Sequence, residues 1–162
     1  MINILSSTAG SRSQDFVEAP RPSGDNLAWL GRNISGGSDE TRIVMIGGKS
    51  PTSFRLRIAQ SHMRMDLTPS YWSHVLLLEK PAKNLGSTRI HEISLEPPKG
   101  FGFPVPENGV QDGKLNQYAK PEVYPNIAVL NVPVKLKDVL ESLEKFKKQR
   151  AVLDAVDLIL HW

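Results

Sequence analysis

The chain has no cysteine, which excludes disulfides, thiolate metal sites and a cysteine nucleophile carried by these residues. It also lacks any apolar run approaching the ~18 residues that a membrane-spanning helix needs. Met1-Ile2-Asn3-Ile4-Leu5 offers neither the basic stretch nor the apolar core of a secretory leader. A cytoplasmic protein with no membrane partner is the resulting expectation. Excess charge is scarce too: 20 basic and 17 acidic residues leave a formal +3. Residues 1–40 carry three arginines and five acids, and the rest carries 17 basic and 12 acidic residues. That mild asymmetry lacks the dense basic stripe with interleaved aromatics of a nucleic-acid binder, so nucleic acid is not an expected partner. The densest cationic run, Lys145, Lys147, Lys148 and Arg150, falls near the end of a predicted helix, where it complements the helix dipole.

The 162 residues, 40% of them hydrophobic, suffice for one ordinary globular domain. Residues 1–40 are rich in Ser, Gly, Asn and Arg and show no lasting period. They read as a flexible arm, with Leu27, Trp29, Leu30 and Ile34 as a short anchor that packs on the domain. The domain itself is expected over residues 41–162, with a truncated C-terminus as one reading of its abrupt apolar end. Strands are predicted near 42–46, 73–79, 89–95 and 126–132 from short β-branched or apolar runs, the last stopped by Pro133. Helices are predicted near 52–65, 135–148 and 151–162. In the second, Leu136, Val139, Leu140, Leu143 and Phe146 fall on one stripe. The third is apolar nearly all round and ends at His161-Trp162 without a stop signal. A missing C-terminal segment or another protein chain is therefore expected to pack on residues 151–162. The predicted class is α+β, a small, mainly antiparallel sheet of about four strands with packed helices.

Residues 97–125, dominated by Pro and Gly, are too long for a plain connection and read as a functional loop or one carrying small elements of its own. Gly47-Gly48-Lys49-Ser50 resembles the end of a phosphate-binding loop, but Ile43 stands where the motif needs a glycine. It reads instead as a strand-to-helix turn capped by Ser50. His62 and Asp66 share one helix face, too few ligands for zinc, so no metal or cofactor is expected. No G-x-S-x-G elbow marks a serine nucleophile.

His74 opens a strand that is otherwise nearly pure hydrocarbon, and His91 lies on the next strand. In an antiparallel pair an odd register sum places them on one face, where one imidazole could act as base and the other orient it. An even sum separates them. Their setting, Tyr71-Trp72-Ser73-His74-Val75 followed by a strand with a polar His91, resembles the circularly permuted papain-like fold of NlpC-type peptidases and lecithin retinol acyltransferase relatives. The resemblance covers roughly residues 71–133. It implies His74 as catalytic base, His91 as orienting residue, and acyl transfer on a peptide, isopeptide or similar amide. The family's cysteine, which opens a helix later in the chain, has no counterpart here. The sequence would then be the N-terminal portion of such a hydrolase or acyltransferase, inactive by itself, or an inactive relative. The alternative is a non-catalytic interaction domain or assembly subunit, contacting partners through Trp29, Phe101, Phe103 and the last helix.

Overall fold

A computed structural model describes residues 2–5, 24–34, 39–64, 69–94 and 109–149. The architecture is α+β. Six antiparallel strands, β1 (Ile2–Leu5), β2 (Glu40–Gly47), β3 (His74–Leu78), β4 (Arg89–Glu92), β5 (Gln111–Lys114) and β6 (Asn126–Lys135), lie in the order β1-β6-β2-β3-β4-β5. Three helices accompany them: α1 (Asn26–Asn33), α2 (Pro51–Arg64) and α3 (Leu136–Lys148).

The four expected strands and two of the three expected helices are present. The apolar runs of β2, β3 and β6 occupy the sheet centre, fully buried on the face of Val44, Leu76 and Val129 and only partly covered on the other, where Val75 is 52% exposed. Residues 151–162, Phe101, Phe103 and Asp66 lie outside the described residues, as does the side chain of His62.

Two elements fall within the segment expected to be an arm. Ile2–Leu5 pair with Leu130–Ile127 of β6 and form the sheet edge. In α1, capped by Asp25 accepting from the Ala28 N–H at 2.8 Å, Trp29 and Leu30 enter the core as the anchor reading expects. Pro133 does not stop β6. It sits in a bulge, because Thr41 pairs with Val132 and Glu40 with Lys135, leaving Pro133 and Val134 without ladder partners. A proline is tolerated where no ladder N–H is required.

One face of the sheet carries Val44, Ile46, Leu76, Leu78, Ile90, Ile127 and Val129, all buried against Trp29, Leu30, Leu115 and Tyr118. The other carries Leu77 opposite His91, and His91 opposite Asp112. Helix α3 runs along this second side. Its Leu136 N–H bonds the Asp39 carbonyl at 2.8 Å, and its Lys147 reaches Asp112 at 3.2 Å. The glycine pair at the end of β2 leads into the capped turn that the sequence suggests: Ser50 Oγ accepts from the Ser53 N–H at 3.0 Å.

Candidate functional site

The two histidines are not brought together. Strands β3 and β4 pair Leu76 with Glu92 and Leu77 with His91. The register sum is therefore 168, an even number. His74, two residues from Leu76, shares the core-facing side with Glu92, while His91 points to the opposite face. The expected pairing of His74 with His91 is corrected accordingly, and the residue that meets His74 is Glu92.

His74 and Glu92 are diagonal neighbours across the β3–β4 ladder, close enough for long side chains to touch. The His74 Nε2 lies 2.5 Å from Glu92 Oε2, with 15% of the imidazole side chain exposed and 1% of the carboxylate side chain. Two further donors converge on the same carboxylate: Tyr118 Oη at 2.5 Å on Oε2 and Gln117 Nε2 at 2.6 Å on Oε1. Both come from the short 3-10 turn Leu115–Tyr118 that follows β5. Burial pushes the Glu92 carboxyl upward, but the hydrogen bonds from His74, Tyr118 and Gln117 together outweigh it and hold it below the ordinary carboxylate range. An ionised carboxylate only accepts, so Nε2 carries a proton. Burial, reinforced by the Glu92 charge, pushes the Tyr118 phenol strongly upward, so its O–H stays a donor.

The remaining ring nitrogen, Nδ1, has no hydrogen-bond partner among the described residues. His74 lines a small cleft with Ile46, Ser53, Ser73, Tyr118 and Tyr124. No hydroxyl of the described residues hydrogen-bonds His74 other than through Glu92. Among the described residues the arrangement is an imidazole tied at one nitrogen to a buried carboxylate, with no hydroxyl bonded to the other.

The wall of the cleft is clamped from α1. Asn26, 1% exposed, donates through Nδ2 to the carbonyls of Tyr118 at 2.9 Å and Tyr124 at 2.8 Å. Its own N–H bonds the Ala119 carbonyl at 3.0 Å. The rings of Tyr118 and Tyr124 meet edge to face, with centroids 4.8 Å apart.

His91 has a different setting. Nδ1 faces Asp112 Oδ1 at 2.6 Å and Nε2 faces Glu79 Oε1 at 2.8 Å. Neither nitrogen is open, so His91 works as a clasp between strands rather than as a base. Arg89 and Lys147 also bond Asp112. Burial raises the Asp112 carboxyl, but hydrogen bonds from Arg89, His91 and Lys147 bring it down from 3.8 to about 2. Because the folded value is depressed, the stability it contributes is complete above 3.8 and lost as the pH falls through about 2. For a carboxylate with a third of its side chain in solvent, screening leaves about 1–2 kcal/mol. Urea unfolding from neutral to acid pH should show this loss, and Asp112→Asn should flatten that limb. An unchanged limb in the variant would remove Asp112 from the account.

Glu92, Tyr118, Gln117 and Asn26 are the members of the site that sequence reasoning missed. The available signal was Glu92 itself, a carboxylate in Ile90-His91-Glu92-Ile93, where one of the two polar residues must face inward. Among the described residues no group of three or more His, Asp or Glu is arranged to hold a metal ion. No described helix is long and apolar enough to cross a membrane. No family model, curated protein or solved structure matches the chain at a significant level.

Proposed function

We propose that His74 and Glu92 are the base and orienting acid of an acyl-transfer site of the papain-like kind. The substrate would be a peptide, isopeptide or similar amide. The observation that carries this reading is the asymmetry of the His74 ring, which lines a cleft: Nε2 is tied to a buried carboxylate and Nδ1 has no partner among the described residues. The nucleophile is a cysteine outside these 162 residues, in a further segment or another chain, so the present chain alone is inactive. Nδ1 takes the thiol proton and Glu92 stabilises the imidazolium. The thiolate adds to the amide carbonyl, the imidazolium returns the proton to the leaving amine, and water or another acceptor releases the acyl group.

The test uses the protein isolated from its natural source, with any bound partner. Its intact mass should exceed that of these residues, or a cysteine-bearing chain should accompany it. One cysteine should alkylate with iodoacetamide rapidly even below neutral pH. His74→Ala should slow that alkylation about 100-fold, and His91→Ala should not, since general-base assistance is worth roughly that much. A natural protein with neither a longer chain nor a cysteine-bearing companion would end the proposal. So would alkylation indifferent to His74.

The competing reading, a non-catalytic interaction domain, draws on the exposed Phe54 and Val75 and on a groove along α3 where Leu136 and Leu140 are rimmed by Lys80, Lys135 and Lys145. Under it, His74→Ala leaves partner binding unchanged while Leu140→Ala weakens it.

A further inference from the structure

We propose that Tyr118, seconded by Gln117, is a positioning residue that fixes the orientation of His74 through Glu92. The proposal rests on the reading of His74 as a base, but the geometry it concerns is measurable without turnover. A carboxylate turning about its last bond would ordinarily offer either oxygen to the imidazole. Here both oxygens are already engaged. Oε2 takes the Tyr118 hydroxyl together with His74 Nε2, and Oε1 takes the Gln117 amide. Rotation would break all three bonds at a carboxylate whose residue is only 5% exposed. The carboxylate plane is thereby set, and with it the orientation of the His74 ring at the cleft.

Tyr118 can do this because it is itself immobilised at both ends. Its backbone carbonyl accepts from Asn26, and its ring is held against Tyr124 on one side and lies 5.9 Å from the His74 ring on the other. The titratable groups facing Glu92 are His74 from β3 and Tyr118 from the 3-10 turn, with Tyr124 behind Tyr118; Gln117 is neutral. A tyrosine present only to fill space would serve equally well as phenylalanine. A tyrosine holding the acid would not.

The experiment is an NMR titration of the isotopically labelled chain, reading the ring nitrogens of both histidines and the Glu92 carboxyl carbon. Tyr118→Phe keeps the ring and its packing and removes one donor. The Glu92 titration should move upward and the His74 Nε2 resonance should shift, while the His91 resonances on the opposite face stay at their wild-type positions. Gln117→Met, at a half-buried position, should raise the Glu92 titration in the same direction by a smaller amount, and it carries the test if Tyr118→Phe does not fold. Unchanged Glu92 and His74 signals in a folded variant would overturn the proposal. Equal shifts at His91 would overturn it as well, since they would mean general loosening. Failure of the cysteine alkylation test with these signals behaving as expected would count against the acyl-transfer reading and leave the positioning role standing.

Discussion

Replacing Glu92 by alanine is expected to cost about 3–5 kcal/mol of folding stability, as for removing one partner of a buried, hydrogen-bonded charge. Three donors converge on this carboxylate, and the substitution orphans all of them: His74 Nε2, the Tyr118 hydroxyl and the Gln117 amide. The Tyr118 hydroxyl is the costliest of these, because its residue is 6% exposed and its backbone is fixed by Asn26. Each buried group left without a partner loses about 1–3 kcal/mol. Glu92→Gln keeps the shape and one acceptor oxygen but turns the other oxygen into a donor facing a donor. Its loss should be smaller, about 1–3 kcal/mol. The pH dependence separates charge from shape. The Glu92 carboxyl is held below its usual 4.5, so its contribution is complete above that value and disappears as the pH falls through the folded one. Both variants should therefore lose part of the acid-induced destabilisation that the parent chain shows. Urea unfolding at neutral pH decides the matter. A loss under about 1 kcal/mol for Glu92→Ala would mean that water reaches the three donors and that Glu92 is not the centre of a closed network.

The sheet was legible in the sequence because its central strands carry nearly continuous apolar residues and so read as short runs bounded by turn residues. Arg42–Ile46, His74–Glu79 and Asn126–Val132 needed no tertiary information to be seen. The site was only half legible. His74 stood out as an imidazole heading a hydrocarbon strand, but its partner depended on register. The β3–β4 hairpin closes through the Glu79 N–H to the Arg89 carbonyl, with a 3-10 turn at Leu85–Ser87 inside the loop. A shift of one residue would have turned His91 inward and Glu92 outward. The sequence holds no term that chooses between them, because both residues are polar and both neighbours are isoleucine. The outcome breaks the usual apolar-in pattern at Glu92, the kind of local conflict expected at functional or strained positions. β5 was invisible for another reason. Gln111-Asp112-Gly113-Lys114 has no β-propensity, and it is a strand only because β4 offers it a ladder and His91 and Arg89 bind its aspartate. Ile2–Leu5 is too short to separate a strand from the start of an arm.

The glycine pair at the end of β2 yields the other large effect, and it tests how the chain delivers His74 to its cleft. Gly47→Ala is expected to cost about 3 kcal/mol or more, beyond ordinary overpacking. A Cβ at Gly47 would lie 1.9 Å from the Tyr71 carbonyl oxygen and 2.9 Å from Asn126 Cβ. Neither obstacle can swing aside. The first is backbone. The second belongs to the residue paired with Gly47 across the β2–β6 ladder, whose amide bonds the same Tyr71 carbonyl at 3.0 Å. The segment that must give way is the one leading into His74. It is stitched to β2 by the Ser73 N–H on the Ile46 carbonyl at 2.8 Å and by the Gly48 N–H on Ser73 Oγ at 3.1 Å. Separating these strands should loosen His74 from Glu92 as well as lower stability, so the His74 Nε2 resonance should shift in any folded fraction. The same change elsewhere has the opposite sign. Gly31, exposed in α1 with its nearest obstacle a Leu85 methyl at 3.7 Å, should gain about 0.5–1 kcal/mol as alanine from helix propensity and reduced unfolded-state entropy. Thermal unfolding of the two single variants and their double mutant measures both terms. Distant sites should add to within a few tenths of a kcal/mol. A Gly47→Ala protein as stable as its parent would show that Tyr71 and Asn126 do not approach β2 this closely, and it would remove the physical reason for a glycine at the strand end beside His74.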